Sequence, residues 1–329
     1  RQKLTYNVEY GWNRGNKMRA IGVYKYGGPE NLEIIDVDEV NAGNGEIRIR
    51  VCAAAVNPTD VMVRNGGHAE RQKQDNPPYV PGMDIAGVVD QIGVDVNTGI
   101  KIGDRVIAMV VPRGMHGAYR EQIVLNAEAV VLAPDNTSHV EACTLPMNSL
   151  TARLSLDLME LKSGDTLAIT GSAGAYGGYL IQLAKNDGLT VIADASESDS
   201  QLVKSLGADY VVPRGNDVAN SIRQQFPNGV DGLADGAVQN ELVINAVKDN
   251  GAFTAVRGFK GSSERSIKFT TTFVRNYDCQ FEKLNEIRKL TNIGKISLRV
   301  ADTFTLENAS AAHARLEAGG TRGRLVLTF

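Results

Sequence analysis

The stretch Thr170-Gly171-Ser172-Ala173-Gly174-Ala175-Tyr176-Gly177-Gly178 is where residue types and spacing first imply chemistry. Against the pattern G-x-G-x-x-G, Gly174 and Gly177 fill the second and third glycine positions, and Ser172 stands in the first. A glycine at 174 lets the backbone approach a pyrophosphate, and one at 177 lets a helix pack closely on the preceding strand. The helix N-terminus then offers unpaired N–H groups and a positive dipole end to the anion. Ser172, Ala173, Gly174, Ala175, Tyr176 and Gly177 therefore form a candidate dinucleotide cradle, although a plain strand-to-helix turn would show the same glycines. Context favours the cradle: Leu167 to Thr170 reads as a strand, Tyr176 to Lys185 as a helix, and Asp194 follows Gly174 by twenty residues at the end of the next strand. An acid there accepts hydrogen bonds from the adenosine ribose and favours NAD. Ser196 and Ser198 lie close by and Arg214 follows the third strand, so the 2'-phosphate of NADPH could also be held; a solvated surface charge is the other reading of Arg214. Arg257, Gly258 and Phe259 follow a later strand, where a chain can line the crevice at the carboxyl ends of a sheet.

The elements that must position these residues divide the chain in two. Its 329 residues exceed the roughly 250 to 300 at which a single core stops growing, so two domains are expected. From Met18 to about Pro134 the pattern is of short alternating strands: Glu46-Ile47-Arg48-Ile49-Arg50-Val51 puts apolar and charged side chains on opposite faces, Asp84 to Val89 forms a second strand, and Val106 to Val111 a third. After Ser138 strands and helices alternate. Thr190 to Ala193, Tyr210 to Val212, Val230 to Asp235 and Ala252 to Val256 read as strands. The intervening helices run from a Ser196/Asp199 cap to Leu206, from Val218 to Phe226 and from Glu241 to Val247. That series predicts a doubly wound parallel sheet with helices on both faces. Beyond Thr272 the alternation weakens, and the chain ends in a helix near Leu306 to Glu317 and a strand over Gly323 to Leu327. This tail is expected to return to the first half. The expected division is an α/β protein with one domain from 18–137 plus 273–329 and a second from 138–272. The polar residues 1–17 are set apart as an extension or an artefact of expression.

Composition narrows the partners. Apolar residues are 43% and charged ones 22%, the net charge is -3, and no Lys/Arg block occurs, so nucleic acid and anionic membrane surfaces are not expected; a small molecule is. Cys52, Cys143 and Cys279 are far apart and form no Cys-x-x-Cys pair, which fits a reducing cytoplasmic setting.

Asn57-Pro58-Thr59-Asp60, Pro81-Gly82-Met83-Asp84-Ile85-Ala86-Gly87, Gly103-Asp104-Arg105-Val106, His116-Gly117-Ala118-Tyr119, Leu150-Thr151-Ala152 and the glycine turn occur in the order and spacing of zinc-free quinone oxidoreductases of the medium-chain dehydrogenase/reductase superfamily, which the chain resembles from Met18 to Phe329. The resemblance implies a GroES-like catalytic domain, a Rossmann domain, a cleft between them, a homodimer, and hydride transfer from NADPH, with NADH possible. Zinc-dependent relatives carry Cys-x-Thr-Asp and Gly-His-Glu where this chain has Asn57-Pro58-Thr59-Asp60 and Gly82-Met83-Asp84, so the cysteine is Asn57 and the histidine Met83. Catalytic zinc wants three strong protein ligands, and no metal is expected. Without a Lewis acid an activated acceptor is the expected substrate, a quinone or an α,β-unsaturated carbonyl.

By the same resemblance Asn57 and Thr59 would line the nicotinamide end as catalytic residues, and Asn148 and Thr151 would contact the nicotinamide face. Asn57 before Pro58 could instead be a turn residue, Thr59 a helix cap, and Asp60 a structural acceptor of backbone N–H groups. His68 could donate a proton or lie exposed on a mobile substrate loop, His116 reads as a turn residue that could instead face the cleft, and Arg324 could reach the cleft or form a surface ion pair. The alternatives kept open are an enoyl reductase of a biosynthetic intermediate, a non-catalytic NADPH-binding protein, and a zinc alcohol dehydrogenase.

Overall fold

A computed structural model describes residues 17–262 and 264–329. The extension expected over residues 1–17 lies outside them except for Lys17, which opens the first strand. Strands β1 (Lys17–Gly22) and β2 (Glu33–Asp38) pair antiparallel with each other. The next strand, β3 (Glu46–Val56), organises the first half of the chain. Its Ile47, Ile49 and Val51 are buried while Arg48 and Arg50 face outward, as the alternation requires. Helix α1 (Pro58–Asn65) follows at once, then the short α2 (Ala69–Gln72), β4 (Asp84–Ile92), β5 (Arg105–Met109), β6 (Gln122–Asn126) and β7 (Val130–Leu132). β3 pairs antiparallel with β4 and also with β6, and its register shifts at two places along the β4 ladder, bending the strand so that one sheet wraps around one core.

The second half begins with α3 (His139–Ala142) and α4 (Pro146–Met159), then alternates: β8 (Thr166–Thr170), α5 (Ala175–Asn186), β9 (Thr190–Ala195), α6 (Ser200–Ser205), β10 (Tyr210–Pro213), α7 (Val218–Gln225), β11 (Val230–Asp235), α8 (Glu241–Ile244), β12 (Val247–Ala255) and β13 (Lys268–Thr271). These strands form a six-stranded sheet in the order β10-β9-β8-β11-β12-β13, every pair parallel. This is the doubly wound order, with the direction of winding reversing between β8 and β11, where such folds open a crevice. Both faces are covered. Leu167, Ile169, Val191 and Ala193 pack against one layer of helices, while Ala168 and Ile192, from the same strands, pack against the other. The expected helix over Glu241 to Val247 ends at Ile244, because Val247 already pairs with Val230 in β12. The expected last strand is not last, since β13 adds a sixth outside it.

The remaining elements are α9 (Phe281–Asn292), β14 (Val300–Thr305), α10 (Ala309–Glu317) and β15 (Arg324–Thr328). β15 pairs antiparallel with β3, Leu325 opposite Val56, and carries β14 on its outer side. The chain's end is thus hydrogen-bonded to the strand that leads directly into α1. No helix among the described residues is long and apolar enough to cross a membrane.

Candidate functional site

The glycine turn lies at the carboxyl end of β8. Gly171 takes φ +71, a left-handed conformation open to glycine, and a Cβ on it would stand 3.0 Å from the Gly236 carbonyl carbon. Gly177 sits in the first turn of α5, where a Cβ would fall 2.4 Å from the Gly171 oxygen and 2.6 Å from Ser172 Cα, so only glycine lets the helix lie this close to the turn. Gly174 differs. It is the N-cap of α5 in extended conformation, and a Cβ there would meet only the Gly171 oxygen, at 3.2 Å. No side chain caps α5, so the N–H groups of Ala175, Tyr176 and Gly177 have no intrahelical acceptor. The cradle thus combines free donors, a helix dipole and backbone uncovered by a side chain. Tyr176 turns its ring over Gly236 and its hydroxyl onto Ser155 Oγ at 2.8 Å, which fixes the start of the helix.

Ser172 and Asp194 tie the turn to β9: Ser172 N donates to Asp194 Oδ1 at 2.9 Å and Asp194 N to Ser172 Oγ at 3.2 Å. Beside them Ser196 accepts from the Asp199 N–H and donates to its carboxylate, and Ser198 lies 3.0 Å from Ser196. Arg214, exposed after β10, donates its backbone N–H to the Ala195 carbonyl, which brings it to the same corner. Two residues the sequence reading did not single out join the group. Arg322 grips Asp199 with two hydrogen bonds of 2.7 Å, holding its carboxyl below the usual range, and Arg299 donates to the carbonyls of Ala173 and Gly174 at 3.1 and 2.7 Å. Arg299 also explains Gly178, whose Cβ would lie 2.3 Å from its guanidinium. At the end of β12, Arg257 is exposed and reaches Met62 of α1, and Gly258 is surrounded by open space. Phe259 packs its ring against Phe253 and Phe269, so only its backbone is free to face the crevice.

A second cluster forms where α1 leaves β3. Asn57 is fully buried and both ends of its amide are committed: Nδ2 donates to Asp84 Oδ2 at 2.7 Å, and Oδ1 accepts from Asn148 at 2.9 Å. Asn148 in turn accepts from Arg324 at 2.8 Å, and Asp84 accepts the Met147 N–H at 2.7 Å. Of the two readings of Arg324, the surface ion pair is therefore ruled out. Only 8% of the residue is exposed, because β15 runs inside the sheet rather than along its outer edge. Burial pushes the Asp84 carboxyl up to about 6, opposed by the Met147 and Asn57 donors and by the positive charge of Arg324. Thr59 is half-buried, and its hydroxyl meets only the Met83 thioether, a weak acceptor, at 3.2 Å. Thr151 donates to the Met147 carbonyl of its own helix at 2.6 Å, leaving the oxygen lone pairs. Among the described residues no three His, Cys, Asp or Glu side chains gather as metal ligands.

Behind Asn57 a buried polar chain holds α1 in place. Asp60 closes a capping box with Asn57, also accepts the Gly82 N–H, and accepts the Tyr119 hydroxyl at 2.9 Å. Asp60 is thus the structural acceptor its position suggested, and burial raises its carboxyl to about 7. Tyr119 meets His313 Nε2 at 3.1 Å, and Arg64 meets His313 Nδ1 at 3.2 Å while forking onto Glu317. Arginine cannot accept, so Nδ1 is the acceptor and the imidazole is neutral, with its proton on Nε2 toward Tyr119. Burial and Arg64 lower the His313 pKa to about 3. Between that value and the ordinary 6.5, the unfolded chain binds a proton that the folded chain refuses, so this group costs stability as pH falls. Asp60 and Asp84 act with the opposite sign over an overlapping range, which masks the effect in the parent protein. His313→Gln keeps an acceptor and a donor without titrating. Relative to the parent it is expected to gain about 2 kcal/mol between pH 7.5 and pH 5, measured as the closing of the gap between their denaturation curves. A gap that stays constant with pH refutes the neutral, buried imidazole.

His116 closes a turn with Arg113 through backbone hydrogen bonds in both directions, 2.8 Å each, as its sequence position suggested.

Residues 43–135 match the family described as alcohol dehydrogenase GroES-like domain, and residues 206–327 the family described as zinc-binding dehydrogenase. A 2-methylene-furan-3-one reductase of Solanum lycopersicum is 28% identical over 95% of this chain and 79% of its own length. An NADPH-dependent alkenal/one oxidoreductase of Arabidopsis thaliana is 31% identical over 74% of this chain and 63% of its own. The solved quinone oxidoreductase from Coxiella burnetii superposes with a TM-score of 0.83 at 29% identity, over 95% of this chain and 99% of that one. With the doubly wound sheet, the cradle on it and the β half matched in both sequence and structure, the chain belongs to the medium-chain dehydrogenase/reductase superfamily of oxidoreductases.

Proposed function

We propose that the protein is an NADPH-dependent reductase that delivers hydride to a quinone or an α,β-unsaturated carbonyl without zinc. The observation that carries the zinc-free reading is the state of Asn57 and Met83. They hold the two positions where zinc relatives have cysteine and histidine; the Asn57 amide is used up on Asp84 and Asn148, and a thioether is a poor zinc ligand. This donor set does not fit zinc. The cradle fits a dinucleotide, with Ser172 to Gly177 at the pyrophosphate and Asp194, Ser196 and Arg214 at the adenosine ribose. Arg257 and the Gly258 and Phe259 backbone would line the crevice. The nicotinamide ring supplies a hydride when bound. Asn148 and Asn57 act as positioning residues, fixing the floor of the cleft, and Thr151 would face the ring. Thr59 has the one hydroxyl of the group without a strong acceptor, and it would donate to the oxygen on which negative charge develops. An enone or quinone needs no more than this, because conjugation already spreads the charge.

The names of the tomato and Arabidopsis relatives favour enones, and the latter favours NADPH. The domains would run over 18–137 with 273–329, and over 138–272. The family resemblance supports a homodimer, and the free Cys52, Cys143 and Cys279 are compatible with a cytoplasmic setting.

The test is the loss of 340 nm absorbance with NADPH and with NADH, against a quinone and an enone, with EDTA present. Turnover that prefers NADPH supports the proposal. No turnover despite NADPH binding leaves a non-catalytic binder, and inhibition by EDTA overturns the zinc-free reading.

Cofactor choice is expected to separate two replacements of Asp194. Asp194→Asn keeps an oxygen for the Ser172 N–H and removes the charge that disfavours a 2'-phosphate, so the ratio of NADPH to NADH affinity rises. Asp194→Ala leaves that buried N–H unpaired, at a cost of about 1 to 3 kcal/mol, and weakens both cofactors. Fluorescence titration with each nicotinamide reads the difference, and equal behaviour of the two variants refutes the second role.

A further inference from the structure

Beside α1 lies a cavity of about 310 Å³, whose walls include Val63, Val80 and Val111 together with Arg71, Arg113 and Arg275. Val63 lies four residues after Thr59 on α1, one helical turn or about 6 Å along the axis, so the cavity adjoins the proposed reacting end. Its charge is unlike the rest of the molecule. The chain is acidic overall, with a net charge of -3, yet three arginines face this space and the lining holds one carboxylate, Asp75, already 3.4 Å from Arg113.

Among the described residues the guanidiniums of Arg71 and Arg275 have no hydrogen-bond or ion-pair partner, although they lie close enough to depress each other's neighbours. Burial lowers the Arg275 pKa, and Arg71 lowers it further. His68, on the same wall, is pushed down to about 4 by burial and by Arg71, Arg275 and Arg257, with no carboxylate opposing them. Like charges converging on a partly enclosed cavity are destabilising on their own. They are explained when a ligand anion completes the arrangement, since arginine forks onto carboxylate and phosphate oxygens.

Resting on the reductase reading above, we propose that the acceptor substrate carries an oxyanion, a carboxylate or a phosphate, on a tail that leads from the reducible double bond into this cavity, where Arg71 and Arg275 bind it. The valines cover the apolar part of the tail. Arg113, held by Asp75, contributes field rather than a free fork.

The test uses three enones of one chain length, ending in a carboxylate, in a phosphate monoester, and in the methyl ester of the carboxylate, each assayed with NADPH. At least one anionic substrate is expected to exceed the ester by about tenfold in kcat/KM, mostly through KM, and the anion that does so identifies the source. The advantage should shrink at high salt and fall to roughly twofold or less in the double variant Arg71→Gln/Arg275→Gln, both positions being exposed enough to change without disturbing the core. Equal turnover of ester and anions by the parent protein overturns this inference and leaves the reductase reading standing, as does an anion preference that survives in the double variant. Turnover of none of the three overturns both.

Discussion

Gly174→Val is expected to fold like the parent and to lose about 100-fold or more in affinity for NADPH and NADH alike, roughly 2.7 kcal/mol. The two halves of that result come from different sides of one Cα. Toward the protein there is room: a Cβ at Gly174 meets a single atom, the Gly171 oxygen, at 3.2 Å, and the backbone angles, φ -70 and ψ 175, suit any residue. The folding cost is therefore about 1 kcal/mol, mostly the loss of a favourable N-cap. Toward the crevice the added isopropyl group occupies the approach to the Ala175, Tyr176 and Gly177 N–H groups, which are the donors a pyrophosphate would use. Gly177→Val provides the contrast. Its Cβ must displace backbone at 2.4 and 2.6 Å, so it should lose both the cofactor and about 3 kcal/mol or more of stability. Thermal denaturation and calorimetric titration of the two variants distinguish these roles. Unchanged NADPH affinity in Gly174→Val would place the dinucleotide elsewhere.

Much of the fold was legible because the parallel sheet writes itself in period and punctuation. Short apolar runs such as Leu167 to Thr170 are bracketed by glycine turns and followed by helical spacing, and β8, β9, β10 and β11 lie where those signals put them. The misreadings have local causes. The helix after Asn240 is cut to one turn because pairing with β11 claims Val247, a tertiary demand that helix periodicity does not reveal. Helix α9 went unread in the tail even though Phe281, Leu284, Ile287 and Leu290 recur every three residues and bury Leu284 and Ile287 in the core. The strand-to-helix rhythm had stopped there, and one isolated amphipathic segment carries less weight than a series.

Spacing alone made the site legible only where its residues lie close in sequence; Asn57 and Asn148, 91 residues apart, came together only through the family resemblance. The turn from Ser172 to Gly177 and the acid at Asp194 follow from spacing, whereas the hydrogen bonds that tie Asp194 to Ser172 do not. By contrast, Arg299, Arg322, Arg324 and His313 come from the last thirty or so residues and reach the turn, Asp199, Asn148 and Tyr119 as the pairing of β15 with β3 brings the end of the chain back. A lone arginine near a chain terminus reads as a solvated charge, and nothing in its immediate neighbours signals burial. The basic cavity was hidden for the same reason, since Arg71, Arg113 and Arg275 belong to three separate segments.

Arg324→Met should be the most damaging single change outside the cradle. The side chain it removes is the donor to Asn148 and the positive charge that helps Asp84 stay ionised, and both lie in a network with almost no access to solvent. Removing the cation from a buried charged network costs about 3 kcal/mol, and here the cost has a direction in pH. Asp84 already holds its proton up to about 6, against 3.8 in the unfolded chain, so it contributes stability in acid that is lost as pH rises through that window. Without Arg324 the folded pKa moves higher still, and the loss continues to higher pH. The variant should therefore lie closest to the parent near pH 5 and furthest from it near pH 8, a difference that denaturant titration at several pH values reads directly. Asn148, no longer held by Arg324, would also release Asn57, so kcat/KM should drop by about tenfold even where the variant is folded. The double variant Arg324→Met/Asp84→Asn removes the titrating group. Its stability gap from Asp84→Asn alone should then lose most of its pH dependence, the remainder belonging to Asp60, which also lies in the field of Arg324, and a gap that widens with pH as steeply as before would mean that Asp84 is not the group that answers to Arg324.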